Sequence, residues 1–394
     1  MFRRHWSGLP KDVSFPSDLK GLGYFVNDQD EIRSIENPDN YFKFFLNRNL
    51  RINARQRFEF NHAIEEIVHE RLEKEGLKKI AVPIGTPTTQ PHVPIFISPD
   101  LKSKSRVVVL FGQSSQDLGM VAGRVANGPG GINEGTMVSV VRAIHEQISS
   151  DTNYCPLESS LQTRDNCRRY NAELNSIPRN EDPVKHVNSI FNEVLANLAG
   201  DEAKIDIVAI GESCEIVERF LDDKQNWTIW GGQLNSMVLL EPVYTSEGLT
   251  NEKFKEFLAK RTRAYLVSPD PVDTPLAPPE GNESTNIPPF GCPCFSSSEP
   301  HYTEVILIKA REQVLSYLEH VAEHPGFENP TINVAERPER VFTEEDWKTL
   351  PEEQKPQIGT VDPEALKKEM QQMKRWKEFQ DTGMAPEWDS EEEA

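Results

Sequence analysis

The sequence predicts an α/β fold: a mostly parallel sheet flanked by helices, with an N-terminal extension and a disordered acidic C-terminal tail. Three observations carry this. The continuous β-branched run at 106–111 and the buried-strand run at 205–210 have the composition of strands covered on both faces. Stretches with apolar residues three and four apart alternate with such runs along the chain, the order that builds a parallel sheet covered on both sides. Residues 331–394 hold 17 acidic and 9 basic side chains and are broken by Pro338, Pro351, Pro356 and Pro363, a composition too polar to bury a core.

Residues 1–14 read as a flexible N-terminus, and short strand-like runs separated by Gly and Asn-Asp follow up to 55. A helix is expected over 56–74, where Phe60, Ala63, Ile64, Ile67, Val68 and Leu72 form one stripe and Gly76 marks the stop. Strand-like runs follow at 79–84, 93–97 and 106–111. Pro83 and Pro94 push the first two towards sheet edges or strand ends. A Gly-rich loop begins at Gly112, a helix is expected over 137–147, and the polar stretch at about 148–183 reads as an insertion. A second striped helix covers about 184–199. The central run Ile205–Ile210 leads into Gly211-Glu212-Ser213-Cys214-Glu215 and a helix over 216–221. Strands at 237–240 and 264–267, helices at about 252–262 and 303–322, and a domain end near 325 complete the order. In the tail, residues 326–394, Asp362 and Pro363 have the pattern of a helix start. Leu366, Met370, Met373 and Trp376 then share a face over 362–379, either docking on the chain's own domain or entering a partner's groove.

Composition narrows the function. Lys and Arg number 43 against 63 Asp and Glu, a formal charge of −20. Such a surface repels phosphate, so direct nucleic-acid binding is not expected. No run approaches the ~18 apolar residues of a membrane-spanning helix, and the basic start has no apolar stretch behind it to make a secretory signal. Five scattered cysteines suit a reduced, intracellular protein. Cys292-Pro293-Cys294 with His301 falls short of the four ligands and wider spacing of structural zinc, so neither metal nor cofactor is expected.

Gly211-Glu212-Ser213-Cys214-Glu215 stands where an α/β-hydrolase holds its nucleophile: on a tight turn between a buried strand and a helix. Ser213 is the candidate nucleophile, with Asp273 (Asp270 second) as acid and His301 as base, in the chain order of that fold. The N–H of Cys214 and the loop Gly112-Gln113 are the candidate oxyanion donors. Against catalysis, Glu212 and Glu215 bracket the serine, where ionised carboxylates oppose developing negative charge. Asn226-Trp227-Thr228-Ile229-Trp230 could form an aromatic ligand site or pack over a sheet edge.

Several segments together resemble one family. They are FPSDLKGLGYFVNDQDEIRSI, the helix and strand RFEFNHAIEEIVHERLEKEGLKKIAVPI, IFIS at 95–98, RVVVLFGQSS against V-x-x-H-G-S-G, IVAIGESCEIVERFL against A-H-S-Y-G-G, SPDPVDT against S-x-[DE]-P-x-D-T, and CFSSSEPHYTE. In this order they resemble the Argonaute-binding-protein-two (Arb-two) domain family, also found in cotranscriptional regulators and at the C-terminus of some class II histone deacetylases. The resemblance runs from about Phe15 to about 322 and implies an α/β-hydrolase-like domain over 15–325. Carried over, the elbow serine falls on Ser213, the acid on Asp273 and the histidine on His301. Phe111 replaces the family's loop His, and Cys214-Glu215 replaces Tyr-Gly. The resemblance implies a non-catalytic scaffold or adaptor of an Argonaute-linked complex in small-RNA-directed heterochromatin silencing, located in the nucleus and secondarily the cytoplasm. Its partners would be Argonaute or chromatin-associated silencing subunits. The alternative expectations are an active serine hydrolase, esterase or amidase, on Ser213, Asp273 and His301, and a histone-tail-binding module on the acidic tail.

Overall fold

The computed structural model describes residues 13–148, 156–159 and 176–334, apart from 88, 115 and 333. The first twelve residues, most of the expected insertion, and the tail with its expected helix at 362–379 lie outside the described residues.

A hairpin of β1 (Tyr24–Val26) and β2 (Ile32–Ser34) opens the described chain. Helix α1 (Leu50–Lys74) follows, starting six residues before its apolar stripe predicts. Two polar side chains account for the extra turns. Asn49 caps the helix by accepting from the Arg51 N–H. Asn53 accepts from the N–H groups of Leu46 and Asn47 and donates to the Asn47 carbonyl.

Nine strands form the main sheet: β3 (Lys78–Val82), β4 (Val93–Ile97), β5 (Arg106–Phe111), β6 (Pro156–Ser159), β7 (Lys204–Ile210), β8 (Leu234–Leu240), β9 (Thr262–Leu266), β10 (Pro275–Ala277) and β11 (Cys294–Ser296). Their spatial order is β10-β11-β9-β8-β7-β5-β6-β4-β3. The six strands from β11 to β6 run mutually parallel, β4 runs against both its neighbours, and β10 is antiparallel at the far edge. This is an α/β-hydrolase-like sheet, with β7 at its centre. Pro94 lies near the start of β4, one of the two places expected for it; β4 is interior, and β6 reaches only Phe96 and Ile97, so Pro94, which has no N–H to donate, stays outside that ladder. One position differs from the sequence expectation. The stretch expected to be an insertion supplies β6, a strand of the main sheet.

Side chains alternate along the buried strands, and each set feeds one core. Val107, Val109 and Phe111 with Ile205, Ile207 and Ala209 face one side. There they meet α3 (Pro183–Ser189, continuing through a π turn to 195), α4 (Glu212–Asp222), α5 (Lys224–Trp230) and α6 (Glu252–Arg261). Val108, Leu110, Val208 and Ile210 face α1, α2 (Met137–Ile148) and α7 (Ile306–Glu323). At the amino ends of the strands Arg106 is buried against the fully buried Asp206, which also accepts from Asn235 Nδ2 (2.8 Å) and the Ser236 hydroxyl. This network ties β5, β7 and β8 together. The carboxyl ends of β5, β7, β8, β9 and β11 therefore share one edge, where the loops that carry the candidate residues emerge.

Candidate functional site at the strand-to-helix elbow

Strand β7 ends at Ile210, and α4 starts at Glu212. The single residue between them, Gly211, makes the turn with φ 59° and ψ −123°. An L side chain is strained at such angles, and glycine adopts them freely. The apex of the elbow is thus Gly211 rather than Ser213. The helix expected over 216–221 starts four residues earlier, which places Ser213 inside its first turn.

The hydroxyl of Ser213 is turned into the protein and fully buried. It accepts from the Ile210 N–H at 2.7 Å, and the carbonyls of Phe111 and Ile210, each 2.9 Å away, compete for its proton. The side chain staples the end of β5 to the elbow. Cys214 is also displaced from its expected role: its N–H donates to the Gly211 carbonyl at 3.1 Å, leaving no donor for an oxyanion. Its Sγ lies 3.3 Å from the Ala209 carbonyl oxygen, and burial pushes the thiol well above its usual range, so it carries no thiolate.

The space above the apex is occupied. A Cβ on Gly211 would meet the Gln113 side chain, 2.9 Å from Nε2 and 3.3 Å from Cγ. Gln113 therefore covers the position from which a nucleophile would project. Beside it Ser114 donates to Glu212 Oε2 at 2.7 Å, so a carboxylate follows the apex. Gly112 joins β5 to this loop.

The remaining members of the expected triad are held apart. Asp273 accepts from the Tyr265 hydroxyl at 3.0 Å and faces Arg263 at 3.5 Å. It borders a depression of about 410 Å³ with Gln313, Ser316 and His320 of α7. Asp270 receives the Ser268 hydroxyl at 3.1 Å. His301 is exposed; its N–H donates to Glu299 Oε1 at 3.0 Å, and its ring meets Tyr302 edge-on at 6.0 Å. Among the described residues no hydrogen bond joins any two of Ser213, Asp273 and His301.

Two carboxylates on the same edge have no signal in the sequence. Glu241 follows β8 at φ 52° and accepts from the Val267 N–H at 2.7 Å; its burial raises its proton affinity. Glu299 follows β11 and accepts two backbone N–H groups. With Glu212 after β7, three strand ends on this edge are followed by an acid.

The other candidates are structural. Trp230 is buried edge-on against Phe191, and Trp227 packs on Phe254 and Phe257. Cys292 and Cys294 are both buried, with Cys294 Sγ 3.5 Å from the Cys292 carbonyl oxygen. Among the described residues no group of three or more His, Cys, Asp and Glu is placed to hold a metal ion, and no helix is long and apolar enough to cross a membrane.

With the apex as reference, Ala209 and Ser213 are the small residues two positions either side of Gly211. Among solved structures the chain is similar to a histone deacetylase from Saccharomyces cerevisiae (9% identity, 66% of this chain and 97% of that chain, TM-score 0.40). It is also similar to AbyA5 (10%, 71% and 80%, 0.38) and to the esterase Pf2001 of Pyrococcus furiosus (9%, 62% and 92%, 0.33). No curated protein gives a significant match. The profile of the Arb2 domain matches residues 15–272, more than half of the sequence, and the chain belongs to the Arb2 domain family.

Proposed function

We propose that this chain is a non-catalytic adaptor of an Argonaute-linked nuclear complex that directs heterochromatin silencing from small RNAs. The observation that carries the non-catalytic half is Gly211 at the apex of the elbow, with Gln113 packed over it. A hydrolase of this fold presents its nucleophile there, and glycine has no side chain to present. Ser213 and Cys214, the nearest alternatives, are buried and bonded to backbone carbonyls. The Argonaute and chromatin half rests on family membership together with the acidic charge, which suits contact with proteins better than with RNA.

The test has two arms. A fluorophosphonate probe is applied to the purified chain, with Ser213→Ala as control. Affinity capture from nuclear extract is scored for Argonaute. The adaptor reading expects no labelling and recovery of Argonaute. Labelling that disappears in Ser213→Ala overturns it in favour of the serine hydrolase, and capture without Argonaute removes the partner assignment.

A further inference from the structure

From Lys43 to Phe58 the chain departs from its own composition. The segment holds Lys43, Arg48, Arg51, Arg55 and Arg57, and no acidic residue lies between Asp39 and Glu59, in a protein of net charge −20. It also holds much of the exposed apolar surface: Leu50 is 73% exposed, Phe58 69% and Phe45 58%, with Phe44 and Leu46 about half exposed. Single exposed apolar residues are ordinary, but a contiguous group marks an interaction surface.

The geometry arranges these residues for a partner. Leu50, Ala54, Arg57, Phe58 and Asn61 recur three and four apart along the first three turns of α1 and share one face. That face is turned away from the core, which begins with Asn53, Gln56 and Phe60 on the other side. Arg57 lies over the Phe44 ring at 5.7 Å. Together with Asn61 these two border a groove of about 510 Å³ whose opposite wall includes Met120 and Arg124. Lys43, Arg48 and Arg57 are exposed and have no carboxylate partner among the described residues.

We propose that this face docks an acidic amphipathic helix of a protein partner; the assignment names a contact surface for the adaptor reading and rests on it. The partner's apolar stripe packs on Leu50 and Phe58, one bulky side chain enters the groove beside Phe44, and flanking carboxylates meet Lys43, Arg48 and Arg57. RNA fits less well. Asp117 and Glu304 border the same groove, and the whole chain repels a polyanion. A short acidic helix meets the local cations at distances where that net charge is largely screened.

The experiment uses the full chain and a fluorescein-labelled 16-residue peptide with Leu and Phe at helical spacing on one face and Asp and Glu beside them. Fluorescence polarisation is expected to show binding at low salt that weakens as NaCl rises. The paired change Arg48→Glu with Arg57→Glu should weaken it at least tenfold, and so should Leu50→Ser with Phe58→Ser. All four side chains are exposed, so circular dichroism melts of both variants should match wild type. A peptide with Lys in place of Asp and Glu should bind the charge-reversed variant better than wild type. Absence of binding, equal binding to both variants, or equal binding of a peptide with the same residues scrambled overturns the proposal. Preference for oligouridine RNA or phosphatidylserine vesicles over the peptide overturns it as well. The two tests separate the readings: Argonaute capture by wild type with no peptide binding removes this surface alone, whereas Ser213-dependent probe labelling removes the adaptor reading.

Discussion

Replacing Ser213 by alanine separates a structural from a catalytic hydroxyl, because the two roles predict opposite costs. The hydroxyl accepts one buried backbone N–H, from Ile210, and donates to a buried carbonyl, of Phe111 or Ile210. Alanine has the same backbone and removes one oxygen, so neither strand nor helix moves to fill the gap. The Ile210 N–H, at the end of β7, then loses the hydroxyl it donates to, and a buried donor deprived of its partner costs about 1–3 kcal/mol. The carbonyls lose only a second partner, so the total stays near about 2–3 kcal/mol. In a domain of this size each kcal/mol lowers Tm by about 2 °C, so Ser213→Ala should melt roughly 4–6 °C below wild type. Differential scanning calorimetry measures this directly. Ser114→Ala, which removes an accessible hydroxyl from Glu212, is the control and should stay within about 0.5 kcal/mol. A Ser213→Ala protein that melts with wild type while losing reactivity towards a serine probe refutes the reasoning, since that is how an unburdened nucleophile behaves.

Gly211→Ser puts a side chain at φ 59°, which costs about 1–3 kcal/mol in backbone strain alone, and its Cβ meets Gln113. Adding Gln113→Ala should recover part of the loss in a double-mutant cycle, and additive effects would show that the two side chains do not compete. Glu218 is buried, and burial, with Glu215 adding, raises its pKa to about 8. An unfolded glutamate titrates near 4.5, so between these values the fold holds a proton that the unfolded chain releases. Stability therefore falls as pH rises from about 4.5 to 8; melts at pH 5 and pH 8 should show a smaller drop for Glu218→Gln, and an unchanged drop assigns the effect elsewhere. Asp206→Ala leaves Arg106 buried without its counterion and should cost about 3–5 kcal/mol in urea unfolding, with a loss under about 1 kcal/mol counting against the network.

The parts of the fold that sequence reveals are those with unmixed patterns. β5 and β7 carry apolar side chains on both faces because both faces are covered, and α2 and α3 declare themselves through single apolar stripes. β11 does not, because Cys294-Phe295-Ser296 is three residues long and followed by small polar ones; its strand character comes from pairing with β9. β6 was hidden for a related reason. It takes its place between β4 and β5 from a stretch whose neighbours in sequence are polar. Helix α5 is short, rich in aromatics and offset from the preceding helix only by the Asp223 cap, so no stripe is long enough to separate it. In each case a tertiary partner supplies what the local pattern lacks.

At the elbow the chemistry misled but the packing rule was readable. Centring the turn on Ser213 requires a small residue two positions later, and the chain has Glu215 there, a side chain that pairs with Arg219 on the helix surface. Centring it on Gly211 puts Ala209 and Ser213 at the two crowded positions, both small, and needs no exception. The steric demand of a strand meeting a helix constrains the flanks whether or not the apex carries a nucleophile, whereas the presence of a serine nearby constrains nothing. Read by its flanks, IVAIGES already places glycine at the apex. The small flanks serve packing whatever the apex carries, since the turn delivers β7 into α4 and Ser213 accepts from the Ile210 N–H.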